Sequence, residues 1–379
     1  MDTALQESHE AMTPEQLAEA RQYGRLELIC DLADKAIDLA YLAVFALYLA
    51  TPVDAWLAQF IERDWLRWGA MFLVLTFGHL AVSFPLSYYA GHRLEHRFGL
   101  SKLTFAGWLW RYLKRNLLAM AFGLLLLLAV FAVIRATGPW WWLVAAGGSF
   151  LVSIVLAQLA PVLIMPLFYK IERIDKPELN ERIERLAEGT GLAIEGVYRM
   201  DMSRETIKAN AMLAGLGRTR RVIMGDTLLD GFSPDEIEVI FAHEIGHHVH
   251  RHIPKLIAAG IGFMLAGFWA CDFVLRAWMQ HTLGVVDYAE LPVSSLPALL
   301  LGLTAFSLLL EPVQNVLSRR YERQCDRYAI RRTGLREAYL SAFRKLAVLN
   351  KDDPCPNPIA VFLFHSHPPI AERLAMAEE

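Results

Sequence analysis

Five histidines and one glutamate lie within twelve residues in the segment FAHEIGHHVHRH, 241–252. On a helix, His243 and His247 are four residues apart and share one face, so both can bind one metal ion. Glu244 follows His243 and can reach a water molecule beside that ion. This is the HExxH arrangement of zinc hydrolases, in which the glutamate is the general base. The alternative interpretation is a polar helix with surface histidines.

A catalytic zinc ion needs a third protein ligand and an open position for water. Position 253 is Ile, which excludes the HExxHxxGxxH pattern with a third histidine. The acids that could serve instead are Glu311, Glu322, Glu337 and Glu372. We favour Glu322 as the ligand and Asp326, four residues later, as the acid that orients a ligand histidine. This ExxxD pattern accompanies HExxH in glutamate-type zincins; the alternative is a helix that carries surface ion pairs.

The motif needs a helix to position it, and the sequence supplies the start signals. Ser233 is the expected N-cap, Pro234 takes the first helical position and Glu236 completes a capping box. The remaining histidines of the segment, His248, His250 and His252, are interpreted as solvated or interfacial residues.

Composition indicates a membrane protein. The chain has 379 residues, of which 55% are hydrophobic and 20% are charged, and its mean hydropathy is +0.31. Soluble domains carry about 25% charged residues. The net charge of −3 argues against a nucleic-acid partner. The four cysteines form no CxxC pair, so neither a cysteine zinc site nor a disulfide framework is expected.

A membrane-spanning helix needs about 20 mainly apolar residues. Six stretches qualify: 36–58, 68–90, 116–135, 140–169, 256–279 and 294–317. The polar insertion between the fourth and fifth stretches predicts a helix at 177–191, a strand at 194–202 and a hairpin of 210–215 with 221–229. The predicted regions are an N-terminal helix (1–35), four spans (36–169), an α+β insertion with the HExxH helix (170–255), two spans (256–317) and a helical region that completes the zinc site (318–379).

Loop charges predict the orientation. The connection 91–115 holds six Lys or Arg residues, and the segment after the sixth span is rich in Arg, whereas 136–139 and 280–293 hold none. Because cytoplasmic loops carry the excess of basic residues, both termini and the zinc domain are expected on the cytoplasmic side of a multi-pass membrane protein.

Several ordered blocks together resemble the zinc-dependent type I CaaX prenyl protease family of integral-membrane metalloendopeptidases. The resemblance covers about residues 15–379 and is strongest in FAHEIGHHVHRH, SRRYERQCDRYA, NAMLAGLGRTRRVIMGDTLL and HSHPPIAERL. It implies a mainly α fold: a polytopic helical barrel that encloses a water-filled chamber in the membrane, with a small cytoplasmic α+β domain of the glutamate-zincin type. One Zn²⁺ per chain is expected. Eukaryotic members have seven spans, and the span missing here would precede residue 15.

The resemblance also implies roles for individual residues. The zinc ligands would be His243, His247 and Glu322, with Glu244 as the general base and Asp326 as the second acid. His367, in SHPP, would steady the oxyanion, and Arg373 would be a charged partner near the substrate. The edge strand that pairs with the substrate backbone would start at Asn210 and Ala211.

Three functions remain open from the sequence. The first is a CaaX-type endopeptidase that acts on a peptide or protein substrate, lipid-modified or membrane-proximal, in contact with membrane lipid. The second is a membrane quality-control zinc protease without prenyl specificity. The third is a non-catalytic zinc-bearing membrane scaffold, which has no need of the base Glu244 beside the metal.

Overall fold

The structure is a computed structural model that describes residues 12–215 and 220–378. Residues 1–11 of the predicted N-terminal region lie outside the described part of the chain. The described chain is mainly helical, with one four-stranded sheet. Helix α1, Pro14–Val44, is capped by Thr13, whose side chain accepts a hydrogen bond from the backbone N–H of Gln16. A π-helical turn, Phe45–Leu49, joins α1 to α2, Ala50–Leu57.

The next helices complete the N-terminal half. Their bounds are Asp64–Tyr88 for α3, Glu95–Arg97 for α4, Phe105–Thr137 for α5 and Trp141–Leu159 for α6. The chain reverses between α5 and α6 at Gly138, whose φ of 53° suits glycine. Arg111 and Lys114, near the start of α5, therefore donate hydrogen bonds to the carbonyls of Phe168 and Leu167, beyond the end of α6.

Five helical segments of the described chain are long and apolar enough to cross a membrane. They are Pro14–Leu57, Asp64–Arg97, Phe105–Leu167, His252–Leu283 and Ser295–Thr333. The third of these is the α5–α6 hairpin, which contains two of the six predicted spans. Each of the other four segments contains one predicted span.

One buried acid within these segments, Asp272, has three hydrogen-bond donors. Asp272 is 4% exposed and accepts hydrogen bonds from Trp141 Nε1 at 2.7 Å, Tyr288 Oη at 2.7 Å and Arg276 Nε at 2.6 Å. An ionised carboxylate is costly away from water unless it is paired and hydrogen-bonded. These three donors explain why an acid is tolerated in the predicted fifth span.

The α+β region begins with a strand that the sequence did not indicate, β1, Ile171–Ile174. It continues through α7 (Pro177–Ala187), β2 (Gly196–Met200), β3 (Ala211–Ala214), β4 (Arg221–Gly225) and α8 (Asp226–Gly231). The strand order is β1-β2-β4-β3, with β2 and β4 parallel and the other pairs antiparallel, so β3 is an edge strand. The predicted hairpin is confirmed.

The predicted second hairpin strand, 221–229, is too long. The strand ends at Gly225 and helix α8 begins at Asp226. The reason is a side chain: the Asp226 carboxylate accepts hydrogen bonds from the backbone N–H groups of Met202, Ser203 and Thr227, each at 2.9 Å. A carboxylate that binds backbone N–H groups at the start of a helix stabilises the change from strand to helix.

The C-terminal half is helical: α9 (Pro234–Val249), α10 (His252–Leu283), α11 (Ser295–Thr333), α12 (Arg336–Asn350), α13 (Pro358–Phe364) and α14 (Ile370–Ala375). The predicted sixth span is the first part of α11, which continues to Thr333 without a break. Helices α9 and α11 meet at Gly246, where a Cβ atom would lie 3.0 Å from the Cα atom of Cys325. A side chain at this position would have to push the two helices apart by a few tenths of an ångström.

Candidate metal centre

Helix α9 carries the HExxH motif and begins as the sequence predicts. The Ser233 side chain accepts from the backbone N–H of Glu236, and the Glu236 carboxylate accepts from the backbone N–H of Ser233. One turn separates His243 from His247, and their ring centroids are 5.3 Å apart. His243 is 7% exposed. The two imidazoles therefore lie side by side at the edge of the core.

Helix α11 brings Glu322 between these two rings. Its Oε2 atom lies 3.1 Å from Nε2 of His243, and its Oε1 atom lies 3.3 Å from Nε2 of His247. The other three candidate acids lie elsewhere. Glu311 pairs with Lys35, Glu372 pairs with Arg323, and Glu337 is exposed in the first turn of α12. Of the four acids, only Glu322 is described in contact with the histidine pair.

The opposite side of the His243 ring is held by an acid. Nδ1 of His243 donates to Oδ1 of Asp326 at 2.8 Å, and Asp326 is fully buried. Arg373 donates to both oxygens of Asp326, at 2.9 Å from Nε and 2.6 Å from Nη2. The guanidinium also stacks 4.0 Å from the ring centroid of Phe343. These contacts place Arg373 behind His243, and its predicted contact with substrate stays a prediction.

The three facing groups fit a metal cation. Oε2 of Glu322 is buried and accepts no hydrogen bond within the described chain, although a histidine nitrogen lies 3.1 Å away. Burial lowers the pKa of His243, but the charge and hydrogen bond of Asp326 outweigh it and raise that pKa to about 9. The cluster of acids thus favours a positive charge at this position. Two imidazole nitrogens and one carboxylate are also the donors that catalytic zinc sites use.

Cys325 offers an alternative third ligand, because its sulfur and nitrogens of His243 and His247 lie within 4.8 Å of one another. However, this thiol is fully buried and lies 3.5 Å from Nδ1 of His252. The Nδ1 atoms of both motif histidines already have protein partners, Asp326 and His252. The Nε2 atoms are the ones that face a common carboxylate, so the geometry favours Glu322 over Cys325.

Glu244 is half-buried beside the pair. Burial raises the pKa of its carboxyl group, and the nearby His243 and His247 oppose this. The backbone N–H of Leu213 lies close enough to oppose this rise in pKa as well, which puts the edge strand β3 next to the carboxylate. The side chain is therefore positioned between the histidine pair and the sheet edge.

His367 also lies at this site. Its Nε2 atom is 3.6 Å from Oε2 of Glu322, and 61% of its side chain is exposed. The loop that carries it is clamped to α11, because Asn315 donates to the carbonyl of Leu363 at 2.7 Å and Arg319 donates to the carbonyls of Val361 and His365. Sequence reasoning missed this clamp. Its signal is spacing: residues 315, 319, 322 and 326 share one face of α11.

Comparison with known proteins identifies the family. The family model described as "Peptidase family M48" matches residues 173–379 of the sequence, more than half of the chain. The chain belongs to peptidase family M48. A second model, described as "CAAX prenyl protease N-terminal, five membrane helices", matches residues 4–170 of this M48 peptidase.

Individual relatives agree over nearly the whole length. The M48 peptidase is 28% identical to "Uncharacterized metalloprotease YhfN" of Bacillus subtilis, over 97% of this chain and 87% of that protein. It is 28% identical to "CAAX prenyl protease 1" of Saccharomyces cerevisiae, over 91% and 80% of the respective chains. The crystal structure of S. mikatae Ste24p superposes with a TM-score of 0.84 at 26% identity, covering 97% of this chain and 89% of that chain.

These matches confirm the first of the three expected functions at the level of class. The protein is an integral-membrane metalloendopeptidase of the CaaX prenyl protease type, with a metal cofactor and a peptide or protein substrate. Its fold is a helical membrane chamber joined to an α+β M48 protease domain. No observation favours the quality-control or scaffold alternatives.

The interpretation of the remaining motif histidines needs a correction in this M48 peptidase. His248 accepts from Arg220 at 3.0 Å and donates to the carbonyl of Thr190 at 3.2 Å, and His250 is half-buried. His252, predicted to be solvated or interfacial, is fully buried. The reason is the two-residue link before it: Arg251 adopts a left-handed conformation, φ 55°, which turns the chain back toward α9.

Replacing Glu322 with Ala should remove one of the three facing donors. Loss of a residue that only orients a metal ligand weakens metal binding by up to about 100-fold. Because Glu322 would be a ligand itself, we expect its loss to raise the dissociation constant for Zn²⁺ by more than that. The measurement is competition with a chromophoric chelator in detergent. Glu372→Ala is the matched control, since Glu372 pairs with Arg323, and should bind Zn²⁺ as the wild type does. Tight binding of a full equivalent by Glu322→Ala would contradict the assignment.

Proposed function

We propose that the protein is a zinc endopeptidase that cleaves prenylated, membrane-bound peptides near their C-terminus. The observation that carries the zinc assignment is the Glu322 carboxylate, which lies within 3.1 and 3.3 Å of two histidine Nε2 atoms. His243, His247 and Glu322 would hold the ion, and one position would remain for water and substrate. Bound zinc polarises the scissile carbonyl and lowers the pKa of a water molecule.

The proton transfers fall to Glu244. Its place beside the histidine pair lets it accept the proton of the attacking water and later deliver that proton to the leaving amine. The partly buried carboxylate has a pKa raised by burial, which makes it a stronger base than an exposed glutamate. Asp326 accepts the hydrogen of His243 Nδ1, so in the loaded site Nε2 would offer its lone pair to the ion that it would hold together with Glu322.

His367 is the proposed oxyanion donor. Support comes from its exposed ring, 3.6 Å from the Glu322 carboxylate, and from Ser366, whose Oγ lies 3.0 Å from Nδ1 of His367. If Nδ1 accepts from Ser366, the Nε2–H group is free to donate to the oxygen of the tetrahedral species. Removing a comparable donor costs about 10²–10³ in rate. Arg373 would support this arrangement through Asp326 and His243.

Strand β3 is the proposed docking edge for the substrate backbone. Within the described chain it pairs with β4 alone, and the carbonyl of Asn210, just before it, accepts from Gly225 at 2.9 Å. A peptide added along the outer side of Ala211–Ala214 would extend the sheet by main-chain hydrogen bonds. Since Leu213 lies next to the Glu244 carboxylate, that peptide would pass beside the proposed base.

The prenyl preference rests on the relatives, because several are described as CAAX prenyl protease 1 or its homologues. Glu244→Gln should retain zinc and lose at least about 10² in rate. Wild type should cleave a farnesylated C-terminal peptide faster than its unmodified twin, and mass spectrometry of the products measures both. Glu184→Gln, at an exposed position on α7, is the control and should match wild type. Equal cleavage of the two peptides would contradict the lipid preference but leave the endopeptidase intact.

The basic loops support an orientation with the termini and protease domain in the cytoplasm. A green fluorescent protein fused to the C-terminus should then fluoresce in bacteria. Alkaline phosphatase inserted at 280–293, which carries no Lys or Arg, should be active outside the inner membrane. Active phosphatase at the C-terminus would reverse the orientation.

A further inference from the structure

His252 stands outside the HExxH motif but is fully buried against it. It is the first residue of α10, and its ring stacks on Tyr321 of α11 with centroids 4.2 Å apart and planes at 11°. Tyr321 directly precedes Glu322 in the chain. His252 therefore lies where the motif helix, the following helix and the Glu322 helix meet.

Both nitrogens of His252 are engaged. Nδ1 lies 3.2 Å from Nδ1 of His247, and Nε2 lies 3.0 Å from Oε1 of Gln324. A contact between two imidazole nitrogens holds one hydrogen, so one ring donates and the other accepts. The Gln324 oxygen can only accept, which places the hydrogen of His252 on Nε2. Nδ1 of His252 is then an acceptor, with Nδ1 of His247 at 3.2 Å and the Cys325 thiol at 3.5 Å as its neighbours. The shorter contact between the two nitrogens assigns the hydrogen between the rings to His247.

This assignment determines the tautomer of His247. With its hydrogen on Nδ1, His247 keeps a lone pair on Nε2, the atom that lies 3.3 Å from Glu322 Oε1. If the amide of Gln324 were reversed, every hydrogen in the series would reverse, and Nε2 of His247 would carry a hydrogen instead. A metal can bind only the first arrangement, because a ligand nitrogen must offer a lone pair.

The two motif histidines are therefore supported differently. His243 donates from Nδ1 to the carboxylate of Asp326, whereas His247 donates to a second imidazole and through it to an amide. In this arrangement His252 has no nitrogen left for the metal, since Nδ1 faces His247 and Nε2 faces Gln324.

We propose that His252 is a positioning residue of the metal site, which accepts the Nδ1 hydrogen of His247, donates to Gln324 and so turns the Nε2 lone pair of His247 toward the metal. The proposal rests on His247 as a metal ligand, as proposed above. It assigns a role in metal binding to His252 and Gln324, which lie outside both the HExxH and the ExxxD positions.

The test compares two pairs of variants in the full-length protein in detergent. His252→Phe keeps an aromatic ring against Tyr321 and removes the acceptor, whereas His252→Asn restores an acceptor oxygen near the former Nδ1. Gln324→Met keeps the length of the side chain without a hydrogen bond, and Gln324→Glu keeps the acceptor. The readouts are the dissociation constant for Zn²⁺ by chelator competition and the visible spectrum of the Co²⁺-loaded protein.

We expect His252→Phe and Gln324→Met to weaken Zn²⁺ binding by about 10–100-fold, as losses of outer partners of ligand histidines do. His252→Asn and Gln324→Glu should stay within a few-fold of wild type and keep its Co²⁺ spectrum. Melting temperatures measured in the presence of a chelator show whether a variant destabilises the fold itself, apart from any effect on metal binding. If His252→Phe does not fold, the two Gln324 variants test the proposal.

Wild-type affinity in both His252→Phe and Gln324→Met would overturn the proposal. So would equal weakening by His252→Phe and His252→Asn, because a restored acceptor oxygen would then make no difference to Zn²⁺ binding. Failure of the wild type itself to bind Zn²⁺ is a different outcome, which would contradict the proposed function.

Discussion

The site depends on one carboxylate, that of Glu322, lying between two imidazole nitrogens of another helix. This contact requires α9 and α11 to approach closely, and Gly246 permits it because a side chain there would meet the backbone of Cys325. Glycine within the motif is therefore a packing requirement. The same approach brings Asp326 to His243 and Gln324 to His252, so one crossing of helices determines both the facing donors and their support.

Helix α11 links the membrane to the chemistry. It begins in the predicted sixth span and continues to Thr333, past Glu322 and Asp326. One of its faces also holds Asn315 and Arg319, which clamp the loop of His367. Because α11 is one continuous helix, the positions of the metal-facing acid and of the exposed histidine are coupled. A shift of this helix would move both relative to α9.

Sequence reasoning succeeded where local spacing decides the structure. The capped start of α9, the shared face of His243 and His247 and the β3–β4 hairpin follow from spacing or short-range signals. The choice of Glu322 rests on the need for a third ligand and on its ExxxD spacing with Asp326, and the structure places its carboxylate beside both histidines. It failed where distant parts of the chain decide. The burial of His252 depends on Tyr321 and on the left-handed Arg251, and the end of β4 depends on backbone groups near Ser203 that bind Asp226. No periodic pattern in the sequence indicates these contacts.

The central claim is that a carboxylate, and not the neighbouring thiol of Cys325, completes the metal site. X-ray absorption at the zinc edge of the loaded wild-type protein tests it most directly, with Cys325→Ser as the control. The account predicts only nitrogen and oxygen neighbours at about 2.0–2.2 Å, including two imidazoles, and the same spectrum for Cys325→Ser. A sulfur neighbour at about 2.3 Å that disappears in Cys325→Ser would contradict the account.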